Sequence, residues 1–327
     1  MSLPEFSSST TGEEAADALA AEIQGKNVLI TGTSVGGIGF ETARVIAKHA
    51  NLVVITGYSA ERLKVAEDAI KKDFPSANIR SLVLDLSSLA AIRKAAAEVN
   101  SYSEPLHVLI NNAAAPIAPF ELTVDNLERQ TATDHIGPFL FTKLLAPKLL
   151  ASASASPSYT PRVVFLSSTG HAFIPGFDLS QVVGKPDAAT YHPFNVYSHV
   201  KAANVLMAIE LSKRSGGKIK AYSLCPGLIF TNIHQKEQSI EIMQAAGFID
   251  GDKKPSTEKF DVWKSIPQGA TTTVVAAFDP RLNDHAGAYL SNGAEANKER
   301  AAHSSDPATA EKLWTATEEI VGEKFTF

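Results

Sequence analysis

Tyr197 and Lys201 stand one helical turn apart in the run Tyr197-Ser198-His199-Val200-Lys201. Positions i and i+4 share a helix face, so the ammonium lies beside the phenol. A free tyrosine titrates near pH ~10 and is a poor acid or base at neutrality. A neighbouring positive charge favours the phenolate and makes the proton more labile. Such a phenol can give a proton to a carbonyl oxygen or take one from an alcohol. Upstream, Ser167-Ser168 ends the apolar run Arg162-Val163-Val164-Phe165-Leu166, where Ser168 would hold the same substrate oxygen by a hydrogen bond. Tyr191 is the weaker alternative, because its i+4 neighbour is Asn195.

Proton transfer of this kind needs a redox partner, and the N-terminal part of the chain offers a place for one. The turn Thr31-Gly32-Thr33-Ser34-Val35-Gly36-Gly37-Ile38-Gly39 follows an apolar strand and precedes a helix. Glycines let the backbone approach a pyrophosphate, and free N–H groups at the helix start bind its charge. Gly32, Thr33, Ser34, Gly37, Ile38 and Gly39 are therefore candidate dinucleotide contacts. Asp85-Leu86 follows the third strand, where a carboxylate would accept from an adenine amino group. Asn112-Ala113 follows the fourth, at the strand ends where the ligand crevice should lie. The second strand ends in Thr56-Gly57-Tyr58-Ser59 without the acid that a ribose-binding NAD site usually has. Ser59 and Arg62, with a hydroxyl such as that of Thr33, would instead hold a 2′-phosphate, so NADP(H) is favoured over NAD(H). Together the two halves predict hydride transfer between a nicotinamide and a carbonyl or alcohol.

Positioning these groups requires alternating strands and helices. Apolar runs at 27–31, 52–56, 79–84, 107–110, 162–166, 219–224 and 287–290 read as strands. Helices are predicted over 38–49, 60–72, 88–99, 124–150, 194–214 and 306–321, with a low-complexity loop at 151–161. Buried strands joined by helical crossovers imply a parallel sheet covered on both faces. The fold class is thus α/β, a single doubly wound Rossmann-type domain of about seven strands. Thr11-Gly12-Glu13-Glu14 reads as a capping box, so residues 1–24 form an N-terminal helical extension to a domain over 25–327. Stretches at about 170–194 and 229–268 interrupt the rhythm and are rich in Phe, Ile, Pro and Gly. They read as substrate loops closing an apolar pocket, which predicts a lipophilic alcohol, aldehyde or ketone.

Bulk properties narrow the classes. The 327 residues carry a net charge of −5 with no basic stripe, which argues against a nucleic-acid partner. The single cysteine, Cys225, excludes an internal disulfide and fits a reducing compartment. No uninterrupted run of about 18 apolar residues appears, so no membrane span is predicted. A cytoplasmic setting is the default expectation. His135, His171 and His199 have no metal-site spacing and read as packing groups, so no metal is expected.

As an ordered set, the glycine turn, Asp85, Asn111-Asn112-Ala113-Ala114, Asp134-His135-Ile136-Gly137, Ser167-Ser168-Thr169-Gly170-His171, Tyr197/Lys201 and Pro226-Gly227-Leu228-Ile229-Phe230-Thr231 resemble the short-chain dehydrogenase/reductase family. Within it, the resemblance is to the retinol-dehydrogenase and WW-domain-oxidoreductase branch. It runs from about Gly25 to the C-terminus. It implies that Ser168, not Ser167, is the catalytic serine and that Lys201 also binds the nicotinamide ribose. It also implies that Pro226, Gly227, Ile229 and Thr231 contact the nicotinamide carboxamide. Three departures stand out: the glycine turn is one residue longer than usual, Ala114 replaces a usual glycine, and Asp134 stands where an asparagine is expected. In the family that residue's backbone carbonyl holds a water linking the lysine to solvent, so Asp134 is read as a relay member. Its charge would raise the Lys201 pKa and put turnover at risk. A catalytically impaired cofactor-binding scaffold is therefore the second reading. Helices 124–150 and 194–214 would pair in a homodimer by analogy with relatives.

Overall fold

The computed structural model describes residues 3–155, 159–258, 260 and 262–327. Two short helices, α1 (Gly12–Ala18) and α2 (Ala20–Ile23), lead into a run of alternating elements. These are β1 (Asn27–Ile30), α3 (Ile38–Ala47), β2 (Leu52–Gly57), α4 (Ala60–Asp73), β3 (Ile79–Val83), α5 (Leu89–Asn100) and β4 (Val108–Asn111). After a long loop come α6 (Arg129–Thr131), a π-helical turn (Ala132–Ile136), α7 (Gly137–Ala155) and β5 (Arg162–Leu166). The second half holds α8 (Ser180–Val183), α9 (Pro193–Arg214), β6 (Lys220–Cys225) and β7 (Leu228–Ile229). It closes with α10 (Glu237–Ala245), β8 (Trp263–Lys264), α11 (Ile266–Phe278), β9 (Tyr289–Ser291), β10 (Ala294–Glu295) and α12 (Pro307–Val321).

The main sheet has eight strands in the order β10-β9-β6-β5-β4-β1-β2-β3. All pairs are parallel except β9–β10, a short antiparallel addition at one edge. Alternate side chains divide between two cores. Val28 and Ile30 face α3 and α11, whereas Leu29 faces the layer of α5, α7 and α9. Because both faces are covered, the strands are apolar almost throughout. The chain runs outward through β2 and β3 and then returns to place β4 on the other side of β1. This reversal opens a crevice at the carboxyl ends of β1 and β4.

Several local expectations are corrected. Residues 124–128 are not helical; Glu128 caps α6 by accepting from the Gln130 and Thr131 amides at 3.0 and 2.8 Å. At its other end, α7 continues to Ala155, into the stretch read as a loop; residues 156–158 lie outside those described. Helix α11 has no counterpart in the sequence reading. Its Thr271-Thr272-Thr273-Val274-Val275 core lacks polar periodicity because every residue from Gly269 to Phe278 is buried. Its start is marked by the Ser265–Gln268 capping box and by Pro267 in the first turn.

The N-terminal helix is not a loose appendage. The predicted Thr11–Glu14 capping box is formed, with the Thr11 amide donating to Glu14 Oε2 at 2.7 Å. Helix α1 then packs on α3 and α11, so closely that a side-chain carbon at Gly12 would come within 2.7 Å of the Ala270 methyl group. At the other end of the chain, α12 lies along α9. Trp314 stands edge-on to Phe139 of α7 and stacks on Phe325, each at 4.9 Å. Helices α7 and α9 thus bury apolar surface within the chain. The segment Arg129–Ser154 is long and apolar enough to cross a membrane by length and composition, but 61% of its most apolar window is buried here as core.

Trp314 is 1% exposed. Its replacement by alanine is expected to lower unfolding free energy by about 3–5 kcal/mol, read from urea denaturation. A loss near zero would mean that α12 does not anchor the α7–α9 layer.

Candidate active site

The glycine turn is clamped from the loop after β4. Thr31 Oγ1 accepts from the Asn112 and Ala113 amides, both at 3.0 Å. The Asn112 side-chain amide donates to the carbonyl oxygens of Thr31 at 2.8 Å and Gly32 at 3.0 Å. Backbone packing here leaves no room for side chains. Gly32 has φ +73, and a Cβ on it would come within 2.7 Å of Ala113. One on Gly39 would collide with the Asn112 amide and the Gly32 carbonyl. Gly37 sits at the N-cap of α3 with no side chain capping it. The first-turn N–H groups of α3 are therefore not engaged by an N-cap side chain, which suits an anion.

Around this turn the predicted contacts separate. Gly32, Ser34, Gly37, Ile38, Gly39, Arg62, Asp85, Leu86, Asn112 and Ala113 line one crevice with Ser168, Tyr197, Lys201, Pro226, Gly227, Ile229 and Thr231. Its volume is about 1520 Å³. Thr33 is the exception: it is fully buried, and its hydroxyl donates to the Thr56 carbonyl at 3.2 Å. It faces β2, so it cannot supply a 2′-phosphate contact. Ser59 caps α4 by accepting from the Arg62 amide at 3.3 Å and lines a small side recess with Ser34, Tyr58 and Arg62. Arg62 itself is steadied by Tyr58, whose hydroxyl accepts from Nη1 at 2.7 Å. Asp85 Oδ1 accepts from the Ser87 amide at 2.9 Å and hydroxyl at 2.6 Å, which fixes the carboxylate at the crevice edge.

The residues expected to react line one part of the crevice together. Ser167 and Ser168 are told apart by direction, since adjacent residues at a strand end point to opposite sides. Ser167 turns inward and donates to the Lys201 backbone carbonyl at 2.7 Å. Ser168 lines the crevice with Tyr197, and its Oγ accepts from the Gly170 amide at 3.0 Å. The Lys201 ammonium lies 5.3 Å from the centre of the Tyr197 ring.

Asp134 enters this cluster through its side chain. The π-helical turn at the start of α7 aims it inward, and π turns of this kind concentrate at functional sites. Oδ2 accepts from Lys201 Nζ at 2.9 Å, with both side chains buried. Oδ1 accepts from the Ala115 amide at 2.6 Å. Burial works against the Lys201 ammonium, but the Asp134 charge outweighs it and holds the lysine above its ordinary range. The opposite outcome holds for Tyr197. Burial pushes the phenol up, and the pulls of Lys201 and of the Ser168 hydroxyl do not cancel it. The lowering expected from the ammonium together with an oxidised nicotinamide is not produced by the ammonium alone, because burial of the phenol outweighs it.

The histidines are packing groups. His171 Nδ1 hydrogen-bonds the Ser168 carbonyl at 2.6 Å, and its Nε2 accepts from the Ala301 amide at 3.3 Å. His135 reaches Thr317 and His199 its own helix backbone at Asn195. Tyr191 is committed elsewhere, to Ala118 and Gln130. Two participants escaped sequence reasoning. The Ala115 amide carries no residue-type signal, and Asn232 lies in a segment read only for its apolar residues.

Comparison with known proteins shows the family. The short chain dehydrogenase family model matches residues 26–175. The short-chain dehydrogenase TIC 32 A, chloroplastic, of Brassica napus is 32% identical over 97% of this chain and 94% of its own length. The WW domain-containing oxidoreductase of Danio rerio is 33% identical over 93% of this chain and 70% of its own. Among solved structures, a gluconate 5-dehydrogenase from Burkholderia cenocepacia, in complex with NADP and tartrate, superposes with a TM-score of 0.62. It shares 18% identity over 84% of this chain and 97% of its own, a likeness of fold. The glycine turn, the doubly wound sheet and the Ser168, Tyr197 and Lys201 cluster belong to a chain that is a member of the short-chain dehydrogenase/reductase family of oxidoreductases.

Proposed function

We propose that this oxidoreductase is NAD(P)-dependent and acts on CH–OH groups, interconverting a lipophilic alcohol with its aldehyde or ketone and preferring NADP(H). The observation that carries the reading is the convergence of Ser168, Tyr197 and Lys201 on the crevice into which the uncapped end of α3 opens. The chain fits a dinucleotide there. Gly32 and Gly39 let the loop after β4 pack directly against the turn, and Gly32, Ser34, Gly37, Ile38 and Gly39 border the crevice. Asp85 and Leu86 would hold the adenine and Asn112, Ala113 and Lys201 the nicotinamide-side ribose. Pro226, Gly227, Ile229 and Thr231 would hold the carboxamide. When bound, a nicotinamide supplies the hydride and, oxidised, a positive charge beside the phenol.

The residues then divide the remaining work. Ser168 holds the substrate oxygen. Tyr197 donates a proton to it during carbonyl reduction and takes one back during alcohol oxidation. Lys201 stabilises the phenolate left behind, and Asp134 fixes Lys201 while carrying the path toward solvent. Substrate class rests on the cluster around Tyr197: Ile117, Met243 and Ile249 with Phe194, Phe230 and Phe248. Cofactor preference rests on Arg62 and on the lack of an acid at the end of β2. A cytoplasmic setting rests on the single cysteine, Cys225, which leaves no internal disulfide to form.

A second reading, a fold kept for binding with turnover impaired, is favoured by one observation, the direct Asp134–Lys201 bond. The two separate experimentally. Tyr197→Phe is expected to lower kcat by about 10²–10⁴-fold in an NADPH-linked reduction of medium-chain aldehydes while NADPH binding persists. Full rate in that variant rejects Tyr197 as the acid. Arg62→Ala is expected to weaken NADPH binding but leave NADH binding nearly unchanged; equal losses for both would reject the 2′-phosphate contact. Asp134→Asn removes a negative charge that raises the Tyr197 pKa. Reduction needs the phenol protonated and fades as pH rises through its pKa, so the alkaline limb should move to lower pH. The rising limb for oxidation should move the same way. A large gain in kcat, with no shift in either limb, would favour the impaired reading.

A further inference from the structure

The lengthened glycine turn is not left loose. Val35 sits at its tip, 44% exposed, and Gly36 follows with φ +81. Both carbonyl oxygens are taken by a single residue from the far side of the crevice. The Asn232 side-chain amide donates to Val35 O at 2.9 Å, and its backbone N–H donates to Gly36 O at 3.2 Å. Asn232 Cβ also lies 3.8 Å from where a side chain at Gly36 would begin.

Asn232 stands at the root of the second substrate loop. That loop leaves the body at β7 and returns at β8, and the two short strands pair in parallel, Leu228 with Trp263 and Ile229 with Lys264. Between them, the Thr231 amide donates to His234 Nδ1 at 3.2 Å, and Phe230 stacks on His234 at 5.7 Å. Farther out, Phe248 stacks on Phe194 at 5.7 Å, and Met243 packs in the apolar cluster that contains Tyr197. Thus the loop covering the reacting phenol is pinned at its base, and one of its first residues is bonded to the turn that borders the pyrophosphate cradle.

We propose that Asn232 is a positioning residue that latches the glycine turn to the base of the substrate loop, so that filling the pyrophosphate site sets the loop over Tyr197. The proposal rests on the dinucleotide reading given above. Its physical basis is the rigidity of the link. A turn whose two tip carbonyls are both bonded to one residue cannot shift without moving that residue. Anion binding at the start of α3 orders the turn from the other side. Ordering at one site then lowers the cost of ordering at the next, which makes the two binding events mutually favourable.

The experiment is amide hydrogen exchange over 31–39 and 233–258, with and without NADPH, on wild type, Asn232→Ala and Tyr197→Phe. In the free protein, Asn232→Ala should exchange faster over 31–39 and at the loop base while distant helices stay unchanged. NADPH should slow the loop in wild type and in Tyr197→Phe and clearly less in Asn232→Ala, which keeps only the backbone bond to Gly36 O. The NADPH dissociation constant of Asn232→Ala should rise about fivefold, as for one lost hydrogen bond of ~1 kcal/mol. Deleting Val35 should produce the same loss, and adding Asn232→Ala to that deletion should cost nothing more. Loop protection by NADPH in Asn232→Ala equal to that in wild type overturns the latch. If wild type binds no NADPH, the dinucleotide reading fails separately. The latch is then judged on the free protein, where unchanged exchange over 31–39 in Asn232→Ala overturns it and faster exchange sustains it.

Discussion

The buried charge of Lys201 is the constraint around which the site is built. An ammonium removed from water is tolerated only with a close partner, and stripping away that partner costs far more than the pair contributes over an apolar substitute. Asp134 is that partner, and it in turn requires the Ala115 amide on its second oxygen. The lysine's own backbone carbonyl is held by Ser167. Four segments are thereby fixed to one another: the end of β5, the loop after β4, the π turn before α7 and the middle of α9. The pair matters less for the energy it adds than for the penalty attached to any other arrangement.

The loop after β4 joins the two halves of the crevice. Asn112 reaches back to the carbonyls of Thr31 and Gly32 and shapes the glycine turn. Three residues on, Ala115 reaches forward to Asp134. The glycine-turn side is made chiefly of backbone brought close by glycine, and the Tyr197 side of charged and hydroxyl side chains. A short stretch of extended chain sets the distance between them. The sheet explains why it can: β4 lies next to β1, so its carboxyl end emerges beside the glycine turn.

What the sequence disclosed follows from which forces leave a pattern. Strands buried on both faces appear as apolar runs, so β1 to β6 and their order of alternation with helices were legible. Tyr197 and Lys201 were legible because helical spacing is fixed. Side-chain direction at a turn has no such rule, which is why Thr33 was placed in the crevice although it packs against β2. Helix α11 was hidden by the opposite problem: complete burial erases amphipathic periodicity, and its β-branched centre resembles a strand. Backbone donors such as the Ala115 amide leave no mark at all. The role of Asn232 depends on a turn almost two hundred residues away, a relation visible only once the chain is folded.

The Asp134–Lys201 pair also changes how the phenol must be understood. A lone ammonium 5.3 Å from the ring would draw the tyrosine toward its phenolate. Here burial favours the neutral phenol and outweighs that pull, with a smaller push in the same direction from the Asp134 carboxylate bonded to the ammonium. The resting group is therefore held protonated, the state in which a general acid has to begin. On the reading proposed above, the missing positive charge is supplied only when an oxidised nicotinamide occupies the crevice, so the phenol gains acidity at the point where an alcohol must lose its proton. Lysine then serves to position and to stabilise, and the proton's lability becomes a property of the filled site rather than of the chain alone.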